Sequence, residues 1–494
     1  EIGSGLVGSE MCIRDRPMER KLQALIQKLR REAHLLVWDN LESATGIPGT
    51  EVQPQLAQED LELLAGLLKD LRGGKTKALL TSRKKETNWL PLSICFRVPL
   101  GGLEGEELWE YCNAVVRYLG LTLDRDNMTY RRILAKLCGN PLAIRAILLR
   151  LQDRTPEDLL RGLDRAFEGQ EGDESTRRLQ AAYAVFGESL KSRFLPVLQV
   201  TGLHEYCADA DLVREMLAAA EEPVPPEAAK SCFEILENAG FCTHVGGNGY
   251  RLHPALRGYL QQQTPAPEGV QRGFVDVMGT FANWLTQEPF HEARGAYHAH
   301  LANLYHAQRL AASLGMDVPA MALTESLAWY ALERRQFSEA RRLYLDLFEQ
   351  GKGRDDAKNM AGVLHQLGRV AEEQRDFQTA EGWYQKSLAI EEKHGDEYGA
   401  ALTYGQLGVL AAKQRDVQSA AAHFLKAIEG FASTGDPYHL AIAVRNYARL
   451  LHTAPSSGRE ALRSRWEEQM PKEMTECLKE AWKNMEEDAN DAQE

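Results

Sequence analysis

At 494 residues the chain has room for roughly three domains, each with its own core. Its 44% hydrophobic and 26% charged residues exclude a disordered or fibrous composition, and no apolar run approaches the ~20 residues of a membrane span. Of the formal net charge of −13, ten acids against three lysines fall between Glu467 and Glu494, so the body is nearly balanced and offers no basic field to nucleic acid.

The first sixteen residues fit nothing downstream. The run Val7 to Arg16 is similar to translated adaptor sequence, and 1–16 is set aside as an assembly artefact. The eight cysteines are scattered without a Cys-x-x-Cys pair, which argues against a disulfide framework or zinc ribbon and suits the cytoplasm.

Met18 to Arg31 reads as an amphipathic helix with Leu22, Leu25, Ile26 and Leu29 on one face. It leads into Leu35-Leu-Val-Trp38, a short unbroken apolar run that predicts a strand buried on both faces of a parallel sheet and ends in Asp39. A carboxylate beyond the end of such a strand stands where a Walker B aspartate holds Mg²⁺ through its water shell. The bland alternative is a strand-end acid with no ligand. A second helix carries Leu61, Leu64, Leu68 and Leu71, and Gly73-Gly74 stop it. Lys77 to Arg83 predicts the next strand, and Ser93 to Val98 a third.

Gly74-Lys75-Thr76 imitates the end of a phosphate-binding P-loop, but Lys69 stands where the first glycine belongs. The tripeptide also leaves a helix and enters a strand, the reverse of a P-loop. No true P-loop occurs in these residues.

From Glu106 to Leu151 the pattern is helical, with Gly139-Asn140-Pro141 as a corner between two helices, and Gly169 to Asp173 reads as a linker. Helices then precede a predicted hairpin, Cys242 to Val245 and Tyr250 to Leu252 around a Gly/Asn turn. His253-Pro254 opens another helix. Helices closed by a hairpin predict a winged helix.

Four motifs stand in order: Asp39-Asn40, Thr81-Ser82-Arg83, Gly139-Asn140-Pro141-Leu142 and Leu252-His253-Pro254. Their order and spacing resemble STAND-class signalling NTPases of the bacterial NB-ARC (AP-ATPase) type over residues 17–262. The resemblance implies that Asp39 organises Mg²⁺ through water, Arg83 senses the γ-phosphate, Pro141 packs on adenine and His253 approaches the β-phosphate of ADP. An exposed strand-end arginine, and a capping or core histidine, are the plainer readings of Arg83 and His253. Asn40 departs from the acid frequent at that position in hydrolysing relatives. An amide takes no proton near neutral pH, so slow regulatory turnover is expected, with Glu42 as a substitute base.

Between Leu327 and Leu451 the sequence repeats every 40 residues. Ala340, Ala380 and Ala420 correspond, as do Tyr344, Tyr384 and Phe424, and Leu367-Gly368-x-x-Ala371 returns as Leu407-Gly408-x-x-Ala411. The pattern resembles the tetratricopeptide repeat, with a period above the usual ~34; a HEAT-like array shares the period but lacks the order of small and aromatic residues. Stacked hairpins of this kind form a surface for a protein or peptide ligand. His291, His298, His300 and His306 lack acidic or cysteine support and read as a surface cluster rather than a metal site.

The expected fold is therefore mostly α: a partial α/β P-loop NTPase core with parallel strands at 17–105, a helical domain at 106–176 and a winged helix at 177–264. Connecting helices or a worn repeat follow at 265–320, an α-solenoid of tetratricopeptide type at 321–455, and an acidic helical or disordered tail at 456–494. The expected function is part of a cytoplasmic ATP/ADP signalling switch whose repeats sense a partner, with self-oligomerisation on activation and no membrane or direct nucleic-acid contact. A strand and a glycine-rich loop are expected ahead of Pro17. The chain by itself is expected to bind Mg-nucleotide weakly or not at all, and to be inactive as an NTPase. Two alternatives stay open: a repeat-containing transcriptional regulator whose DNA-binding domain lies ahead of Pro17, and a non-enzymatic scaffold with a degenerate core.

Overall fold

The computed structural model describes residues 18–39, 41, 45, 56, 58–82, 85–168, 174–352 and 357–491. They belong to two compact units, Glu1–Gly101 and Gly102–Glu494.

The first unit holds α1 (Met18–Arg31), β1 (Leu35–Trp38), α2 (Gln58–Asp70) and β2 (Lys77–Leu80). β1 and β2 pair in parallel, from Leu35 opposite Lys77 to Trp38 opposite Leu80, with α2 in the crossover. Burial on both faces is not found. Leu35, Val37 and Leu79 are 64%, 54% and 52% exposed, while Trp38 and Leu80 turn inward onto Leu68, Trp89 and Leu90. Only one face of the described sheet is covered, so burial alternates along β1 although its residues are apolar on both sides. The third expected strand is also absent. Residues 93–98 are turn and coil, with Phe96 92% exposed. Pro91 and Pro99 bracket this stretch, and among the described residues no strand pairs with it, so its β-propensity finds no ladder. The Gly74-Lys75-Thr76 tripeptide is a helix stop: Gly73 takes φ +75°, Lys75 N–H donates to Arg30 O, and β2 begins two residues later.

The second unit begins with α3 (Gly105–Arg117), α4 (Met128–Leu137), α5 (Pro141–Leu149) and α6 (Pro156–Glu168), closed around Ile133, Leu137, Ile144 and Leu163. The long α7 (Glu174–Leu203) bends at Phe194, two residues before Pro196, which cannot donate a helical hydrogen bond. After it come β3 (Cys207–Asp209), α8 (Ala210–Ala219), α9 (Ala228–Asn238), β4 (Cys242–Gly246), β5 (Gly249–Leu252) and α10 (Pro254–Gln263). The three strands form an antiparallel sheet in the order β3–β5–β4, so the hairpin gains a third strand that the sequence reading did not contain.

Two helices, α11 (Glu268–Gln287) and α12 (Phe290–Ser313), lead into paired helices: α13 (Asp317–Glu333) with α14 (Phe337–Gly351), α15 (Ala357–Glu373) with α16 (Phe377–His394), and α17 (Glu397–Lys413) with α18 (Val417–Thr434). Ala340, Ala380 and Ala420 are wholly buried, and Tyr344, Tyr384 and Phe424 are at most 2% exposed. The reason for the glycines is direct. A Cβ on Gly368 would lie 2.5 Å from the Tyr384 ring, and one on Gly408 would lie 2.6 Å from Phe424. At these two crossings the ring of the following helix packs against a residue that has no side chain. Aspartates 376, 396, 416 and 436 cap the following helices by accepting backbone N–H groups. One continuous apolar core runs from Phe186 through Phe241, Phe274 and Tyr297 to Leu367, so the three-stranded module and the first repeats share an interior.

α19 (Pro437–Thr453), α20 (Ser456–Gln469) and α21 (Lys472–Asp491) close the array. The tail is helical, and one stripe of it is buried. Leu462 and Trp466 are 1% exposed, Tyr447 lies 5.0 Å from the Trp466 ring, and Leu478 is buried with them. These apolar residues cover the open side of the last hairpin, as a capping element of a repeat array must.

Candidate functional site

Asp39 follows β1 and is exposed. Its Oδ1 accepts a hydrogen bond from the Thr81 hydroxyl, and Thr81 N–H donates to Trp38 O at 2.9 Å, so the two strand ends are tied together. Asn40, Glu42 and Arg83 lie outside the described residues. The more deeply embedded acid of this unit is Glu86, which the sequence reading did not single out. It is 9% exposed and accepts from Thr45, Ser82 and the Trp89 indole at 2.8–2.9 Å.

A Mg²⁺–nucleotide needs about six oxygen ligands and a run of amide donors around the phosphates. At the end of β1 the described residues supply the exposed Asp39 carboxylate, with one oxygen already engaged, and no group of three or more potential metal ligands occurs among the described residues. These residues do not by themselves fit the group.

Pro141 and His253 belong to the second unit. Asn140 caps α5 by accepting from Ala143 N–H at 3.0 Å, Pro141 occupies the first turn, and its carbonyl accepts from the Tyr111 hydroxyl at 2.9 Å. His253 caps α10 through its backbone carbonyl, and its N–H donates to Phe241 O at 2.9 Å. Gly240 connects the two. At φ +84° it passes so close to α5 that a Cβ would stand 2.9 Å from Leu142 Cδ1. The chain Leu142, Gly240, Phe241, His253 thus gathers two of the four motifs at one corner.

A second junction joins β3 to α12. Asn303, wholly buried, accepts from Glu205 N–H and donates to Cys207 O, both at 2.7 Å. The Glu205 carboxylate binds Arg257 Nη1 at 2.5 Å and His306 Nδ1 at 2.9 Å, with Arg309 at 3.9 Å. Burial works against its ionisation, but the His306 hydrogen bond and the arginine charges hold it below the usual carboxylate range. His204, inside the same junction, is wholly buried and pushed down to about 3 by desolvation. The histidines expected at the surface are therefore divided. His300 is buried and paired with Asn303, because α12 turns that face onto β3, and His291 stays exposed.

In the repeats, a groove of about 600 Å³ opens along α14, α15 and α16. Leu345, Phe348, Leu364, Trp383 and Ile390 line it, and the Lys386 ammonium stands 4.3 Å from the Trp383 ring. No helix among the described residues is long and apolar enough to cross a membrane.

The family model of the tetratricopeptide repeat matches residues 359–433, which lie in the period-40 region. No curated protein matches the chain. Among solved structures, a Signal Transduction ATPase with Numerous Domains carrying a tetratricopeptide repeat sensor, from Pyrococcus horikoshii, overlaps 92% of this chain and 77% of its own at 12% identity and TM-score 0.33. A Rap protein complexed with competence and sporulation factor overlaps 78% and 94% at 11% identity and TM-score 0.32. Aspartyl phosphate phosphatase F from Bacillus subtilis overlaps 79% and 92% at 10% identity and TM-score 0.34. At these TM-scores the overlaps establish no shared fold and assign no function. What the comparison does establish is that residues 359–433 are tetratricopeptide repeats.

Proposed function

We propose that this chain is the sensing and relay part of a signalling switch of the STAND, NB-ARC-like type. Its repeats take a protein or peptide partner, and the 177–264 module, in this reading a winged helix, passes the bound state toward the corner at Leu142, Gly240 and His253. The observation that carries the reading is the junction of shared core and buried hydrogen bonds between that module and the helices leading into the repeats. A partner bound at one end can bias the other only if the two are mechanically continuous and the partner prefers one state. The order of the four motifs supports ADP/ATP as the ligand whose exchange is controlled, with Asp39, Arg83, Pro141 and His253 in the roles given above.

In protein expressed from its complete gene, ADP should co-purify and be released on denaturation, and His253→Ala or Arg83→Ala should reduce the amount retained at least fivefold. Unchanged ADP in both variants would favour the second reading, a repeat scaffold. The half-exposed two-stranded sheet of the first unit is the observation in its favour.

A further inference from the structure

Glu391 lies in the last turn of α16 and is 4% exposed. Its Oε1 is shared by two hydroxyls, Ser387 at 2.9 Å and Thr403 at 3.1 Å. The Ser387 hydroxyl has a single proton and also stands 2.7 Å from Ala361 O, so its donation to the carboxylate is contested. The other oxygen, Oε2, is buried with no hydrogen-bond partner. Among the described residues no lysine, arginine or histidine forms an ion pair with this group, and desolvation raises its pKa against the two hydroxyl contacts. A buried carboxylate oxygen left without a donor is costly.

Glu391 also lines a cavity of about 300 Å³, together with Ala361, Ile390, Asp396 and the exposed Lys358 and His394. Asp396 contributes a second carboxylate whose Oδ1 caps α17 through Gly399 N–H at 3.0 Å. Ile390 belongs both to this cavity and to the apolar groove at Trp383, so the two adjoin. The cavity therefore offers an acid floor next to an aromatic and aliphatic groove. That combination fits a long side chain with a cationic end, followed or preceded by an apolar one. A lysine or arginine would bring the donors that Oε2 lacks, and its alkyl stem would lie on Ala361 and Ile390.

We propose that the Glu391 cavity is the anchor pocket for a lysine or arginine side chain of a peptide partner, whose apolar neighbour occupies the groove beside Trp383. This rests on the reading that the repeats bind a peptide. The test is selection of a random heptapeptide phage library on the full chain, followed by fluorescence-anisotropy titration of the best synthetic heptapeptide. Wild type should enrich sequences with Lys or Arg next to an apolar residue. Glu391→Gln should weaken that peptide at least tenfold while melting within a few degrees of wild type. Lys358→Glu, an exposed change at the cavity, should strengthen it severalfold and keeps the proposal open to refutation if E391Q does not fold. Enrichment of acidic or uncharged peptides, or equal affinity in wild type and K358E, would overturn the pocket and leave peptide binding standing. No enrichment of any sequence would overturn both.

Discussion

Gly408 and Gly405 stand on the same helix, three residues apart, in opposite surroundings. A Cβ at Gly408 would meet the Phe424 ring at 2.6 Å, whereas nothing lies within 4 Å of one at Gly405. Gly408→Ala should therefore cost about 2 kcal/mol through forced repacking, and Gly405→Ala should gain up to about 1 kcal/mol from helix propensity. Urea unfolding of the two variants gives shifts of opposite sign if the close crossing is real. His365 makes a pH prediction. Burial, with Arg369 nearby, pushes its imidazole down to about 4, and its Nδ1 meets the Thr403 hydroxyl at 3.0 Å. Its folded pKa lies below the ordinary 6.5, so the unfolded chain takes up the proton first. The stability this neutral imidazole lends is full above pH 6.5 and is lost as pH falls toward 4, at up to about 1.4 kcal/mol per unit. Melting profiles between pH 7 and 4.5 should fall less steeply in His365→Gln than in wild type. The aromatic and small positions around these residues were legible because identical packing needs recur every 40 residues. Arg335, Arg375 and Arg415 recur at the same interval with φ between 59° and 65°, yet nothing in the arginine side chain announces a left-handed turn.

At the scale of elements, legibility followed whether a segment finds its partners close by in the chain. β1 ends at Trp38 and β2 begins at Lys77, as the sequence pattern places them, although β2 stops at Leu80 rather than Arg83, and the β4–β5 hairpin closes on its Gly/Asn turn. β3 is three residues long and exists because Arg251 and its neighbours pair with it, a context no local pattern carries. The 93–98 segment failed for the complementary reason, having strand-like residues without a ladder. The β3–α12 junction was also invisible, since Glu205 and Asn303 lie 98 residues apart. Asn303 satisfies two backbone groups at once. Asn303→Leu strands both in the interior and should cost about 3 kcal/mol, with faster amide exchange at 205–209 than elsewhere in the module. Exchange raised uniformly over the second unit would show that the junction has no local role.

For the molecule as a whole, the repeats were readable from spacing alone, and residues 359–433 bear that out. The tail was not: its run of acids concealed the stripe Leu462, Trp466, Met470 and Leu478 that caps the array. With the Asp39 carboxylate already engaged by Thr81 and no group of three possible metal ligands among the described residues, titration of fluorescent ADP with Mg²⁺ into this chain should show no saturation below ~100 μM; micromolar binding would contradict that. Binding at the repeats should be felt at the Gly240–His253 corner. Hydrogen exchange followed by mass spectrometry, on the full chain with and without a saturating library-selected peptide, reads this out. Protection is expected at 357–396 together with altered exchange at 203–209 and 240–253. Protection confined to the repeats, with both distant segments unchanged, would contradict it.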